Sequence, residues 1–323
     1  NATEFEASLR AKPAQAGKFV YFASKRGDYS GMWEYFVDTD TDTNDASETT
    51  AHVPEYIDGE VTNIQASSNE DMILVQADDD KESIYVYRFF YSGREKLQAS
   101  WSKWTFGDDV VNCSFNLADI MLLVKRGSNL HLEKINLSVD SAEAITDGAF
   151  PILLDRRVTL ESGGTETVPY SDSNLVYVDQ TGEVITLSEV AGKLTASEKV
   201  FAGLPYTFKY QFSEPVVKIE NKPATTAKLK IRSYAVVYNQ TGYFTTEVTP
   251  NRRTTYTRTF TGRIIGGAYN ILNQAAIDSG TYKFGVLSDS EDTSIVIKSD
   301  SHLPCNFQSA EWEGFYTLRS RRV

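Results

Sequence analysis

Short runs of β-branched and aromatic residues, each bounded by Gly, Asp, Asn or Ser, constrain the fold of this chain more than any other feature. Met72 to Gln76, Ile84 to Phe90 and Ile120 to Lys125 are examples, and this pattern indicates β-strands joined by short turns. Helical signals are few: Thr3 to Glu6 fits a capping box, and Ala268 to Ile277 fits one short helix. The sequence therefore predicts an all-β protein.

The strand runs of the first half repeat. The series that begins at Val61 and contains Asn63 resembles the series that begins at Val110 and contains Asn112, and the offset of about 49 residues lies in the range of propeller blades. Weaker copies begin near residues 18 and 175. We therefore predict a propeller-like domain over residues 1–195 with an incomplete set of blades, whose open edges other residues or another subunit should cover.

After about residue 195 the strands become longer and alternate regularly, which predicts an antiparallel barrel or sandwich over residues 196–323. Within Thr254 to Thr261, Tyr256, Arg258 and Phe260 share one face and four threonines share the other. Two mixed faces favour a strand that meets another subunit or lines a wide lumen, although an edge strand would have the same pattern. The arginines in and around this segment favour an interface between subunits rather than a DNA-binding site.

The C-terminal segment alternates aromatic and polar residues, and it places Phe307, Ala310, Trp312 and Phe315 near one register. This pattern predicts a partly buried strand or a bulged pair. A cluster of arginines follows and closes an otherwise acidic chain, which suits a docking surface better than a catalytic pocket. The candidate interface or channel residues are Arg252, Arg253, Arg258, Arg263, Arg319, Arg321 and Arg322.

The net negative charge of the chain argues against tight binding of nucleic acid. There are 44 acidic and 32 basic residues, the formal net charge is -12 and the pI is about 4.9. Few cations are available to neutralise phosphates, so an acidic wall would let a polyanion pass without holding it. No apolar run is long enough to span a bilayer, and the first residues do not resemble a signal peptide.

We find no motif for catalysis, a cofactor or a metal. Serine-elbow, P-loop and dinucleotide patterns do not occur, and the three histidines have no ligand spacing. Asp38 to Asp45 alternates carboxylates as a calcium loop does, but it has Thr43 in place of the turn Gly and Thr49 in place of the closing Glu. Cys113 and Cys305 are read as small buried thiols. A pair of carboxylates for glycoside hydrolysis stays open, because distance in space is invisible in a sequence.

Trp101 and Trp104, with Phe106 beside them, support an alternative function. Exposed aromatic rings would form a platform for sugar, as in a propeller that binds or degrades surface polysaccharide. The competing interpretation, which we favour, is that both tryptophans are packed at the end of a blade.

Five ordered segments carry a family resemblance. They begin at residues 17, 50, 94, 203 and 301 and read GKFVYFASKRGDYSGMWEYFV, TAHVPEYIDGEVTNIQASSNEDMILV, REKLQASWSKWTF, GLPYTFKYQFSEP and SHLPCNFQSAEWEGFYTLRSRRV. They resemble the tail tubular protein B family, which forms the nozzle of short-tailed bacteriophages. Because members of this family are much longer and the chain does not begin with Met, we expect it to be a C-terminal fragment.

The resemblance implies a structural role without enzymatic activity. It implies a homo-oligomer, expected to be a hexamer, in the virion tail after synthesis in the host cytoplasm. It also implies an adaptor tail tubular protein and tail fibres as partners, and a central channel through which genomic DNA leaves without sequence-specific binding.

Overall fold

The structure, a computed structural model, describes residues 7–8, 10–38, 43–92, 95–137, 151–163, 165–170, 172–190, 193–219, 222–223, 227–263, 270–272 and 274–318. Every regular element in these ranges is a β-strand, so the all-β class is confirmed. Residues 270–272 and 274–277 are not helical, and the capping box at Thr3 lies outside the described residues. The chain divides into two compact units, Asn1–Ala142 and Glu143–Val323. The domain boundary after residue 195 stays a prediction.

Unit 1 consists of three antiparallel sheets in which successive strands are neighbours. Its strands are β1 (Ala14–Ala16), β2 (Phe19–Arg26), β3 (Tyr29–Asp38), β4 (Thr43–Glu48), β5 (Ile57–Asp58), β6 (Val61–Ser67), β7 (Met72–Ala77), β8 (Ser83–Ser92), β9 (Glu95–Thr105), β10 (Asp109–Asn116), β11 (Asp119–Arg126) and β12 (Asn129–Asn136). Sheet 1 has the order β1-β2-β3-β4 with β5 beside β3, sheet 2 has β6-β7-β8-β9, and sheet 3 has β10-β11-β12.

Sheet 2 is packed on both faces. Ile73 and Tyr85 lie in a core shared with sheet 1, whereas their neighbours Leu74 and Ile84 lie in a core shared with sheet 3. Because successive residues of a strand point to opposite faces, an uninterrupted apolar run such as β7 can fill both cores. The three sheets therefore form a face-to-face stack.

The two copies of the predicted repeat touch at equivalent positions. Asn63 Nδ2 donates to Asn112 Oδ1 at 3.0 Å and to the Cys113 carbonyl oxygen at 3.2 Å. Gln76 Nε2 donates to the Val110 carbonyl oxygen at 2.8 Å. Side chains of β6 and β7 thus join sheet 2 to β10, the first strand of sheet 3, which fits blades stacked about an axis. A closed propeller stays a prediction.

Unit 2 begins with smaller sheets. Its strands are β13 (Asp155–Leu160), β14 (Thr165–Glu166), β15 (Val176–Asp179), β16 (Val184–Ile185), β17 (Ser188–Val190), β18 (Lys193–Thr195), β19 (Val200–Leu204), β20 (Phe208–Gln211), β21 (Lys218–Ile219), β22 (Lys222–Pro223), β23 (Ala227–Thr241), β24 (Phe244–Thr249), β25 (Tyr256–Phe260), β26 (Asp278–Asp289), β27 (Ser294–Ser299) and β28 (Phe307–Leu318). Sheet 4 has the order β13-β19-β15-β16, sheet 5 has β14-β18-β17, and sheet 7 is the pair β21-β22. Since β19 lies between β13 and β15, the weak repeat copy near residue 175 is not a sequential blade.

The rest of unit 2 is an antiparallel sandwich. Sheet 6, β20-β27-β24-β25, packs on sheet 8, β26-β23-β28, around a core of buried aromatic and aliphatic side chains. Phe260 of β25 lies 5.7 Å from Tyr282 of β26, measured between ring centroids, and Phe208 of β20 lies 6.1 Å from Phe307 of β28. Hence β25 and β26 form one edge of the sandwich, and β20 and β28 form the opposite edge.

The register predicted for the last strand is wrong at one residue. Trp312 pairs with the buried Tyr234, whereas Phe315 pairs with the exposed Lys230 and points to the other face. Tyr316 takes the core-facing position instead, opposite Leu229. A strand side chain an odd number of residues from Trp312 must face away from it, unless a bulge intervenes.

Candidate interface surfaces

The first candidate surface, here called the arginine edge, consists of β25 and the residues that flank it. Its members are Arg252, Arg253, Arg258 and Arg263, all of which are exposed. β25 pairs with β24 alone among the described strands, with Arg258 opposite Thr246. The surface therefore runs along a free strand edge, as the mixed pattern of Thr254 to Thr261 allowed.

Aromatic packing holds β25 in place beside the arginines. Phe260 is buried and stacks on Phe244 with ring centroids 4.8 Å apart, and the Tyr256 hydroxyl donates to the Gly285 carbonyl oxygen. Burial raises the pKa of Tyr256, and the positive charges of Arg258 and Arg253 act in the opposite sense. One face of the strand is thus a core face, with Arg258 projecting between two packed rings.

The turn before β25 positions Arg252 and Arg253, and Arg263 follows the strand. The Arg253 amide donates to the Pro250 carbonyl oxygen at 3.1 Å, and its guanidinium Nη2 donates to the Leu287 carbonyl oxygen at 2.6 Å. Arg252 has a φ of 56°, in the left-handed region that is common in turns. Arg263 Nη2 reaches the Gln274 carbonyl oxygen at 3.5 Å. In the part of the chain that the structure describes, none of the four arginines forms an ion pair.

The second candidate surface lies on the opposite side of the sandwich and was not foreseen. The aromatic edge, as we call it, is defined by Phe208, Tyr210, Glu311, Trp312 and Tyr316 of β20 and β28. Its four rings are on the core-facing side of their strands, opposite buried partners such as Ile297 and Tyr234, yet they are exposed. At this edge the two sheets leave apolar rings uncovered.

The acidic groups of β28 differ in their pairing. Glu313 accepts hydrogen bonds from Lys283 Nζ at 3.0 Å and Arg232 Nη1 at 3.1 Å, and Lys283 above all lowers its pKa. Glu311 is exposed, and no ion pair of the described residues includes it. Of these two carboxylates, Glu311 is available to a cation from outside.

Three predicted candidates, Arg319, Arg321 and Arg322, lie outside the described residues. Residues 39–42 of the acidic segment Asp38 to Asp45 do as well, whereas Asp38 ends β3 and pairs with Thr43, the first residue of β4. Within the residues described, His, Cys, Asp and Glu side chains form no group able to hold a metal ion. Those residues likewise contain no helix able to cross a membrane.

The two tryptophans do not form one sugar platform. Trp101 packs in the core between sheets 1 and 2, where its Nε1 donates to the Thr49 carbonyl oxygen at 3.1 Å. Trp104 packs in the core between sheets 2 and 3. The rings therefore lie on opposite faces of sheet 2, which supports the packing interpretation.

The described carboxylates of unit 1 that have perturbed pKa values, Glu60, Asp78 and Asp80, form ion pairs. The amide of Glu60 donates to Asp78 at 2.7 Å and lowers its pKa, with Arg10 contributing. Burial raises the pKa of Asp80, but hydrogen bonds led by Lys103 outweigh it and the net shift is downward. A general acid for glycoside hydrolysis needs a raised pKa. These lowered values favour structural ion pairing.

The thiols differ in burial. Cys113 is buried, as expected, whereas Cys305 is only half-buried beside the sandwich core. Burial raises the pKa of each to about 12, so neither has the character of an activated nucleophile.

Comparison with known families gives the class to which this all-β chain with two exposed strand edges belongs. The model of the bacteriophage nozzle protein family matches residues 1–323. The chain belongs to this family, whose members are structural components of the phage tail. The resemblance inferred from the sequence is confirmed, and the carbohydrate alternative is not favoured.

A curated relative is tail tubular protein gp12 of Escherichia phage T7, which is 26% identical over 356 residues. The match covers 99% of this chain and 45% of the relative, so the chain spans about half of that protein's length. Two solved structures of an exo-β-1,3-galactanase from Phanerochaete chrysosporium align at 6% and 7% identity with TM-scores of 0.21 and 0.22. Those alignments cover 97% and 96% of each chain. Similarity at this level carries no argument about fold or function.

Proposed function

We propose that this chain forms part of the wall of a ring-shaped nozzle at the end of a short phage tail. Copies of the protein, six by the family resemblance, surround a channel through which genomic DNA leaves the virion. An adaptor tail tubular protein and tail fibres are the neighbours in this assembly. The observation that carries the proposal is the family match along the whole chain.

The packing supports a stiff wall. Sheet 2 is covered on both faces by other sheets, and β7 is buried along its full length. Close-packed protein interiors have low compressibility and so resist deformation. We extend the proposal to the domain assignment: a propeller-like domain over 1–195 and a second antiparallel domain over 196–323.

The net negative charge of the chain supports the passage of DNA through the channel without tight binding. With 44 acidic and 32 basic residues, the protein repels a polyanion at long range and offers few cations to hold phosphates. The DNA therefore moves through without a sequence-specific or tightly held contact.

The arginine edge supplies the basic part of a contact between copies. Arg252, Arg253, Arg258 and Arg263 are exposed along a free strand edge, which suits an interface with an acidic or aromatic partner. The tail arginines Arg319, Arg321 and Arg322 are further candidates for the same role.

The test is the assembly state and the DNA affinity of the intact protein. Light scattering and electron microscopy of purified protein are expected to show closed rings, and a short DNA duplex at physiological salt is expected to bind weakly. Single subunits at all concentrations, together with tight salt-dependent binding of the duplex, would contradict the proposal.

A further inference from the structure

The arginine edge and the aromatic edge lie on opposite sides of one sandwich. β25 ends sheet 6 on one side and β20 ends it on the other, while β26 and β28 end sheet 8 in the same way. The contacts of Phe260 with Tyr282 and of Phe208 with Phe307 assign the strands to their sides. A copy that used both edges would contact two neighbours.

The chemistry of the two edges is complementary. The arginine edge has four exposed guanidinium groups with no ion-pair partner among the described residues. The aromatic edge has exposed rings, among them Tyr210 at 52% and Trp312 at 41%. Glu311, which no ion pair of the described residues includes, is exposed on the opposite face of β28, one residue before Trp312. Guanidinium groups stack on aromatic rings and pair with carboxylates, so each edge presents what the other lacks.

We propose that the arginine edge of one copy docks on the aromatic edge of the next copy, with Arg258 near Glu311. This inference rests on the proposed function, because it names the partner of the arginine edge as a second copy of the same chain. The two patches differ and occupy opposite sides, so the contact is heterologous and runs head to tail. Such a contact closes into a ring when the rotation from one copy to the next divides a full turn evenly.

The same charges oppose a symmetric contact. Two arginine edges facing each other would bring eight guanidinium groups together without acids, and like charges across an interface lower affinity. Covering the exposed rings also removes apolar surface from water, which favours association. The head-to-tail arrangement is the one that both charge and apolar burial favour.

The experiment compares Arg258→Glu, Glu311→Arg and the double variant in the intact protein, with assembly measured by sedimentation. Each single variant is expected to assemble about tenfold more weakly, as the loss of one close charge pair implies. The double variant restores an opposite-charge pair and is expected to recover most of the assembly. An equal mixture of the two single variants is also expected to assemble, because native and exchanged contacts then alternate around the ring.

Two control variants place the same charge changes elsewhere. Arg88 and Glu82 are exposed and belong to unit 1, so Arg88→Glu and Glu82→Arg are expected to assemble as the wild type does. Circular dichroism of every variant confirms that it is folded.

Rings that persist unchanged in both single variants would overturn the docking proposal and leave the nozzle function standing. Loss of assembly in the single variants without recovery in the double variant would overturn it as well. Absence of rings in the wild-type protein would instead contradict the proposed function, so the two failures are distinguishable.

Discussion

Glu34 and Lys96 form an ion pair that joins sheet 1 to sheet 2 inside their shared core. The side chain of Glu34 is 9% exposed and that of Lys96 is 24% exposed. Ser47 Oγ donates to the paired carboxylate oxygen at 3.0 Å, and Lys96 Nζ also donates to the Tyr87 hydroxyl at 3.2 Å. The other carboxylate oxygen is buried and has no hydrogen-bond partner among the described residues. Among the described residues, Lys96 is therefore the cation that pairs with the Glu34 carboxylate.

Removing the lysine charge is expected to destabilise unit 1 strongly. Breaking a buried pair by deleting one partner costs about 3–5 kcal/mol. The partial exposure of Lys96 places the expected loss for Lys96→Met near the lower end, at about 3 kcal/mol. Adding Glu34→Gln removes the uncompensated charge and is expected to return about 2 kcal/mol, so the double variant is more stable than the single one.

Urea unfolding followed by tryptophan fluorescence measures both effects. In a Trp312→Phe background the signal reports on unit 1 alone, since the chain has four tryptophans and the other three are Trp33, Trp101 and Trp104. Lys134→Met is the matched control, because the ion pair of Lys134 with Asp119 is at the surface and is expected to contribute less than about 1 kcal/mol. The reasoning would be refuted if Lys96→Met lowered the free energy of unfolding no more than Lys134→Met does. It would also be refuted if the variant with both Lys96→Met and Glu34→Gln were less stable than Lys96→Met alone.

Three further predictions concern single residues. Gly59 has a φ of 80°, and a Cβ there would lie 2.6 Å from a carboxylate oxygen of Asp78. Gly107 has a φ of 71°, but a Cβ there would meet open space. In urea titrations we therefore expect Gly59→Ala to lower the free energy of unfolding by about 2 kcal/mol more than Gly107→Ala. Burial lowers the pKa of His302 from 6.5, so the unfolded chain binds a proton that the folded chain does not, and stability should fall as the pH drops below 6.5. His302→Gln should reduce the pH dependence of the free energy of unfolding. An unchanged pH dependence would mean that groups other than His302 cause it. Burial raises the pKa of Cys113 to about 12, so in a Cys305→Ser background a thiol reagent at neutral pH should react only after unfolding, and rapid reaction of the native protein would contradict its burial.

The local pattern of the chain predicts the strands well. Apolar runs such as Met72 to Gln76 and Ile84 to Phe90 lie within β7 and β8, whose alternate residues fill two separate cores. The spacing of Trp101 and Trp104 is odd, which already places two strand residues on opposite faces. That signal was available in the sequence and argues against a shared platform.

The candidate surfaces were predicted only in part. The arginines around β25 stand out in an acidic chain, so composition finds them. The aromatic edge depends on Phe208 meeting Phe307, residues far apart in sequence, and on which rings the opposing sheet leaves uncovered. Such information is in the tertiary arrangement and not in local periodicity.

Electron cryo-microscopy of purified virions tests the central claim most directly, namely that this chain is a rigid part of the wall around the tail channel. The account predicts a closed ring at the end of the tail, in which the three stacked sheets of unit 1 and the sandwich of unit 2 fit the density of every subunit. Density of the tail that accommodates none of these sheets, or virions that lack the protein, would contradict it.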